Sequence, residues 1–493
     1  MEPSALRRFP ILLHWDWKKL LFPAILVGSI AVRLFRLAGQ SLWFDETYTA
    51  LVAGQPVGRM LQYLITDGVH PPLYYAWMAV WIRLFGDSPW SLRLPSVLFG
   101  GLSVWLIYLM ARRMAGEAVG LLSAFLLGIS PFLIWYSQDA RMYSMECLAA
   151  VSAVFCFWVF LERGNVPTFL GLILSHLFLY GVHYFGLFIL FCEALFLLFY
   201  WRIYLRRWIP FLIAQAVALV PTAVWGYILL HRANGSFGIG WIPKPVWTDP
   251  VLTVLNFFTA NGGIWTPVAA VAGIVLVFLY GAALKNSRQR ESMSFALIWL
   301  IVPIGMAWIF SQEVPLYIDR YFILSLPAAV ILAAAGAVSL SGWKGTIPIA
   351  LLTATMLAEL WNVYLPGEGF QKEDWRGAMN SLRSRLQPGD LLLLRVYQEM
   401  VPLQYYGMLD REWIAVETNN VVELPEINSD MAVCYFIYWW PAQSAHSFGA
   451  PNPRNIDEPN PRVREWMNDT FRLRDAQNRF HGVVILILEP VRN

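Results

Sequence analysis

The feature that most limits what this chain can fold into is a series of apolar runs. They lie near 20–37, 91–111, 118–136, 143–161, 166–183, 185–201, 209–230, 265–284, 294–310, 321–340 and 346–363. A helix needs about twenty predominantly apolar residues to cross the hydrocarbon core of a bilayer, and in lipid every backbone polar group must be satisfied within the segment. Roughly eleven transmembrane helices are therefore predicted. Composition agrees: of 493 residues, 58% are hydrophobic and only 14% charged, and the mean hydropathy is +0.51. A soluble chain is nearer a quarter charged. The formal charge of +3 gives no ground for a nucleic-acid partner. Cys147, Cys156, Cys192 and Cys434 form neither a disulfide framework nor a metal-ligand spacing.

The connections between runs alternate in charge. Arg112/Arg113, Arg163, Arg202/Arg206/Arg207, Lys285/Arg288/Arg290 and Lys344, with Arg7, Arg8, Lys18 and Lys19 before the first run, are expected on the cytoplasmic side. No small-residue cleavage site follows the first run, which reads as an uncleaved membrane helix. Pro71–Phe85 is apolar but short of a spanning length. Counting it as a span would invert every later basic loop, so it is expected to be re-entrant or interfacial, and 38–90 becomes one external loop. From about Gln371 the composition becomes that of a soluble domain. A helix is predicted over Asp374–Leu386, a turn at Pro388-Gly389-Asp390, strands at Leu391–Val396, Met431–Trp440 and Gly482–Glu489, a charged helix near Pro461–Asn468 and a long loop between Ser444 and Arg462. The fold expected is a polytopic α-helical membrane protein with juxtamembrane helices in the first external loop and a small C-terminal α/β domain. Residues 1–370 form the membrane part and 371–493 the soluble part. The odd span count puts the C-terminus outside and the N-terminus in the cytoplasm.

The external connections carry the chemistry-bearing residues. Asp45 and Glu46 sit among aromatics in Ser41-Leu42-Trp43-Phe44-Asp45-Glu46-Thr47-Tyr48. They read either as a hydrated helix end or as groups that take a proton from a hydroxyl or hold a polar substrate. As neighbours their side chains diverge by about 100° on a helix, so a division of labour fits better than a matched acid and base. His70 precedes Pro71-Pro72 at a helix start; it either caps that helix or meets an anion there. Arg93 at the outer end of the second run could snorkel to headgroups. Asp139 and Arg141 could form a local ion pair, and Asp319-Arg320-Tyr321 is similar. Each arginine could instead take a phosphate in bidentate fashion. The Arg and Asp residues on this side run against the positive-inside bias. No phosphate-binding Gly-rich loop and no zinc-ligand spacing competes for the chemistry, so a phosphate is expected on a lipid.

Trp43-Phe44-Asp45-Glu46, His70-Pro71-Pro72-Leu73-Tyr74-Tyr75, Leu92-Arg93-Leu94-Pro95-Ser96, Ser137-Gln138-Asp139-Ala140-Arg141-Met142-Tyr143-Ser144 and Asp319-Arg320-Tyr321 occur in this order. Together with Asp374-Trp375-Arg376-Gly377, the set resembles the polyprenyl-phosphate-dependent membrane glycosyltransferases of the C-type fold. Their relatives include protein O-mannosyltransferases and the lipid A aminoarabinose transferase. The resemblance implies a sugar on undecaprenyl or dolichyl phosphate, transferred with inversion at the external face of a bacterial inner membrane to a lipid, glycan or protein acceptor. It implies that Asp45 acts on the acceptor nucleophile and that Glu46 supports it or binds the acceptor. Arg320, His70 and Arg93 become candidates for the donor phosphate, and Asp139, Arg141, Tyr143, Tyr321 and Tyr74 for substrate binding. No cofactor is required, and a divalent metal is compatible. His70 departs from the lysine at the matching Pro-Pro position of the aminoarabinose transferase, so that enzyme's specificity does not carry over. Two other classes compete: a transporter or flippase of a lipid-linked sugar, and a non-catalytic sugar-binding assembly subunit. The first should show charges within spans and repeat symmetry; the second leaves the Asp45-Glu46 pair unexplained.

Overall fold

A computed structural model describes residues 18–232, 242–259, 267–285, 289–364, 372–387, 390–396, 399–408, 413–418, 421–422, 434–439, 465–466, 469–480 and 483–490. The basic N-terminus before Lys18, the turn residues Pro388-Gly389, the Ser444–Arg462 loop and most of the helix expected near Pro461–Asn468 lie outside them.

The apolar runs all fold as helices. In chain order the helices are α1 (Lys18–Leu34), α2 (Phe44–Ala53), α3 (Val57–Asp67), α4 (Leu73–Phe85), α5 (Pro89–Ala115), α6 (Glu117–Ile129), α7 (Pro131–Ser137), α8 (Tyr143–Arg163), α9 (Val166–Val182) and α10 (Leu187–Phe199). There follow α11 (Trp201–Tyr204), α12 (Trp208–Arg232), α13 (Asp249–Thr259), α14 (Pro267–Lys285), α15 (Arg290–Phe310), α16 (Leu326–Ser339) and α17 (Trp343–Tyr364). Among the described residues five helices are long and apolar enough to cross a membrane, or six if the bent pair α6–α7 counts as one span. The remaining apolar helices are shorter, so the chain is an integral membrane protein whose number of spans is less sharply defined than its number of helices. The segment 38–90 holds α2, α3 and the thirteen-residue α4, the last of which its short apolar run predicts. Helix α13, between the runs near 209–230 and 265–284, was not foreseen.

Helix α16 is the centre of the bundle, buried from Leu326 to Ala337. Gly336 lets it lie against α14, since a Cβ there would sit 2.0 Å from the Leu279 carbonyl oxygen. At the other extreme α12 presents Ile209, Leu212, Ile213, Val217, Val220 and Val224 outward, an apolar face suited to lipid.

The break between α6 and α7 builds one wall of the site. Pro131 lacks the N–H that would bond the Leu127 carbonyl, and the helix bends by 57°. The carbonyls left open are taken by buried Arg33, which donates to Gly128 O at 2.8 Å and Leu127 O at 3.3 Å, and to Ser137 Oγ at 3.1 Å. An intramembrane arginine paired with backbone carbonyls is the arrangement lipid permits. The bend aims α7 so that its C-terminal end delivers Gln138–Met142 to the end of the bundle where α2 lies.

The C-terminal part begins with α18 (Trp375–Arg383), capped by Asp374, whose side chain accepts from Gly377 N at 2.9 Å. It continues through β1 (Leu391–Val396), α19 (Met400–Tyr405), β2 (Trp413–Thr418), β3 (Val421–Val422), β4 (Cys434–Trp439), β5 (Phe471–Phe480) and β6 (Val483–Pro490). The sheet order is β3-β2-β1-β4-β6-β5, with β1 parallel to β2 and β4 and the other pairs antiparallel. Its own core gathers Trp375, Met379, Leu382, Leu392, Ile437 and Ile485. Strands β1, β4 and β6 match expectation; β2, β3 and β5 and α19 were not foreseen, because Phe471–Phe480 reads FRLRDAQNRF and lacks clean alternation.

Candidate active site

The site is built on the first turn of α2. Trp43 occupies the N-cap position and has no side-chain oxygen to cap with, and the next three residues bring two carboxylates into the first turn. Asp45 and Glu46 diverge as helical geometry requires. They enter opposite surroundings.

Glu46 points inward and is wholly buried, at 0% exposure. Arg93 grips it with Nε on Oε1 at 2.7 Å and Nη2 on Oε2 at 2.6 Å, the Ala140 N–H donates to Oε1 at 2.8 Å, and Lys372 Nζ stands 3.2 Å from Oε2. Burial opposes ionisation of Glu46, but Arg93 and Lys372 outweigh it and hold the carboxyl down at about 2. Lys372 also reaches Asp139 Oδ1 at 3.1 Å and the Gln138 carbonyl at 2.9 Å, while Trp43 Nε1 donates to Asp139 Oδ1 at 2.8 Å. Burial pushes Asp139 up and Lys372 down, each against the attraction of the other. The cluster holds two carboxylates, one guanidinium and one ammonium, and is neutral overall.

Arg93 therefore cannot meet a donor phosphate in this arrangement. Besides Glu46, it donates from Nη1 to Leu37 O at 2.8 Å and Gln40 O at 3.1 Å, and from Nη2 to Ser41 O at 2.8 Å. All five of its N–H groups are spent. Nor does it snorkel: it is 1% exposed. The sequence could not show this, because the partners lie about fifty residues away. Asp139 and Arg141 likewise do not pair with each other; Asp139 joins the closed cluster and Arg141 turns to the other side of α2.

Asp45 faces that other side and keeps 21% of its side chain exposed. Its Oδ2 lies 3.8 Å from Arg141 Nε and 3.9 Å from Arg320 Nη2, too far for direct hydrogen bonds and close enough for strong attraction. Arg320 lies over the rings of Trp43, Tyr143 and Tyr321 at 5.7, 5.8 and 5.8 Å. Its neighbour Asp319 is anchored by Thr253 Oγ1 at 2.6 Å and by Asn256 of α13. Arg141 donates to Tyr75 OH at 3.0 Å and to His70 Nε2 at 3.3 Å. His70 thus accepts on Nε2, with Nδ1 toward Asp67 at 3.7 Å. Burial, Arg141 and His183 hold its imidazole well below the usual histidine range, so it is neutral. Burial also pushes Asp67 up to about 6. His70 does not cap α4, whose N-cap is Pro72; it backs Arg141. Tyr74 is buried with its hydroxyl unpartnered, against Tyr75. Sequence reasoning missed Lys372 as a member of this centre, although it immediately precedes the Glu373-Asp374-Trp375-Arg376-Gly377 stretch.

Comparison with known proteins follows the same lines. Residues 69–228 match the family described as dolichyl-phosphate-mannose-protein mannosyltransferase. The undecaprenyl phosphate-alpha-4-amino-4-deoxy-L-arabinose arabinosyl transferase 1 of Pseudomonas fluorescens is 24% identical over 333 residues, covering 60% of this chain and 56% of that protein. The match thus spans little more than half the length of this curated relative. Crystal structures of ArnT from Cupriavidus metallidurans superpose over 95% of this chain and 97% of theirs. The apo form gives a TM-score of 0.58 at 13% identity, and the form bound to undecaprenyl phosphate gives 0.59 at 14%. The chain has the C-type glycosyltransferase fold, and its resemblance to the polyprenyl-phosphate-dependent membrane glycosyltransferases holds in both sequence and structure.

Proposed function

We propose that this protein transfers a sugar from a polyprenyl-phosphate donor to an acceptor hydroxyl or amine at the external face of the membrane, with inversion at the anomeric carbon. The observation that carries the reading is the half-open Asp45 carboxylate between Arg141 and Arg320, on a floor of Trp43, Tyr143 and Tyr321. The acceptor oxygen or nitrogen attacks the anomeric carbon, and the bond from that carbon to the phosphate oxygen breaks. The electron pair leaves with the lipid phosphate, and the acceptor's proton passes to Asp45. A phosphate ester is already a good leaving group, so no general acid is needed. Charge developing on its oxygen is met by Arg320 and, across Asp45, by Arg141. Aromatic faces suit a sugar ring. Glu46 supports Asp45 by fixing the loop, and a divalent metal is not required by this scheme.

The same reading has about eleven spans, the N-terminus in the cytoplasm of a bacterial cell and residues 371–493 as an extracytoplasmic domain; the separate C-terminal core supports that division. Acceptors remain a class: lipid, glycan or protein. The test is binding of undecaprenyl phosphate to purified protein by native mass spectrometry. Wild type should bind it and Arg320→Ala should bind about tenfold or more weakly, the loss expected for a charge-assisted contact. Equal affinity would remove Arg320 from the phosphate role. A reporter fused after Asn493 should be reached from outside; cytoplasmic exposure would overturn the topology.

A further inference from the structure

Within the loop that carries Asp45, the Trp43 N–H reaches Glu46 Oε2 at 3.4 Å; other main-chain ties come from distant parts of the chain. Trp43 offers no capping oxygen, and the N–H of Phe44 is taken by Glu373 Oε2 at 3.1 Å, from 329 residues downstream. The same oxygen accepts from Trp375 Nε1 at 2.6 Å, so α18 fixes the carboxylate that caps α2. The backbone N–H of Lys372 donates to Gln40 Oε1 at 2.7 Å, and that of Arg376 to Ser41 Oγ at 2.9 Å. Tyr406, after α19, takes the Leu42 N–H at 3.1 Å. Every residue from Gln40 to Phe44 except Trp43 is thus bonded to the C-terminal part of the chain.

The Trp43 side chain is held indirectly, through charge. Its indole N–H donates to Asp139, and Asp139 is neutralised by Lys372. Without Lys372, the buried cluster would contain Glu46 and Asp139 against Arg93 alone, one uncompensated negative charge away from water. Asp139 would have to take up a proton or the cluster would open. Opening loosens Trp43, whose ring lies beneath the Arg320 guanidinium.

We infer that Lys372 and Glu373 are positioning residues for the site proposed above, and that the C-terminal domain is thereby a structural part of the catalytic loop. Lys372 balances the charge that keeps Trp43 and the first turn of α2 in register. Glu373 takes the Phe44 N–H at the start of α2, which the Trp43 side chain cannot cap. This rests on the proposed function only where it calls the loop catalytic.

The test uses full-length protein in nanodiscs and compares wild type, Lys372→Met and the double variant Lys372→Met/Asp139→Asn. The double variant restores neutrality and keeps an acceptor for the Trp43 indole. Hydrogen exchange at the Phe44–Thr47 amides should be at least about tenfold faster in Lys372→Met. It should return to within about threefold of wild type in the double variant, since only the charge imbalance has been removed. Undecaprenyl phosphate should bind Lys372→Met more weakly than wild type. Unchanged exchange in Lys372→Met would overturn the inference. So would a double variant as open as the single one, because a packing role is not rescued by removing a charge. If Lys372→Met does not fold, the double variant decides: wild-type exchange supports charge balance, and failure to fold overturns it. A wild type that binds no undecaprenyl phosphate would count against the proposed function, while the exchange pattern would still judge the positioning.

Discussion

Asp45 and Glu46 are covalent neighbours with the same charge, and they live in opposite surroundings. Glu46 is sealed, bound by Arg93, Lys372 and a backbone N–H, and has nothing left to offer a substrate. Asp45 is half-open, with two guanidinium groups near its carboxylate and neither hydrogen-bonded to the carboxylate itself. The difference arises from one residue step on a helix. It teaches that a pair of acidic residues in a membrane loop can divide into one that spends its charge on structure and one that keeps it for chemistry.

Mutation of the two positions should separate these uses. Asp45→Asn should lower turnover by about a hundredfold or more, the contribution of a positioned base, with thermal unfolding in detergent close to wild type. Glu46→Gln should do the reverse in kind: it leaves Arg93 and Lys372 buried against a neutral amide, and breaking a buried pair costs about 3–5 kcal/mol. A clear drop in the unfolding midpoint is expected. If Asp45→Asn unfolds the protein and Glu46→Gln only slows it, the division is inverted.

Arg141→Ala should reduce undecaprenyl phosphate affinity less than Arg320→Ala, because Arg141 is partly committed to Tyr75 and His70; native mass spectrometry of the two variants side by side would check this. Acid sharpens the comparison further. The Glu46 carboxyl is held at about 2 instead of its ordinary 4.5. Its contribution to stability is therefore complete above about 4.5 and is lost as pH falls toward 2. Wild type should lose stability across that window, and Glu46→Gln should show a flatter profile when unfolding is followed against pH. The smallest effect belongs to Tyr406→Phe, which removes the acceptor for the Leu42 N–H and the partner of Ser41 Oγ. About 1 kcal/mol is expected per lost bond, measurable as a modest midpoint shift with Asp45 chemistry retained.

Much of the fold was legible because lipid imposes a simple code: each apolar run became a helix, and the short run Leu73–Phe85 became a helix too short to span. The acidic pair, the Pro-Pro helix start and the Asp139–Tyr143 turn also met at one end of the bundle as their order suggested. What could not be read was pairing. Arg93 and Arg320 both stand at the end of an apolar run, yet one is consumed by Glu46 and three carbonyls while the other faces Asp45 from above a row of aromatic rings. The partners that set them apart lie far from either in sequence. Lys372 was overlooked for a related reason: its partners are Glu46 and Asp139, hundreds of residues upstream, and a lysine at the start of a soluble domain reads as surface. His176 and Glu193, joined at 3.0 Å inside α9 and α10, were hidden among apolar residues in the same way and tie two helices together. Strand β5, FRLRDAQNRF, is too polar in sequence to show an alternation.

The central claim is that Asp45 takes the proton of an acceptor that displaces polyprenyl phosphate from its sugar. The most direct measurement is mass spectrometry of the lipids that purify with wild-type protein and with Asp45→Asn. The account predicts polyprenyl phosphate with the wild type and an accumulation of its sugar-linked form on the variant, which binds donor and cannot discharge it. Preparations that retain other membrane lipids but carry no polyprenyl species in either form would contradict it.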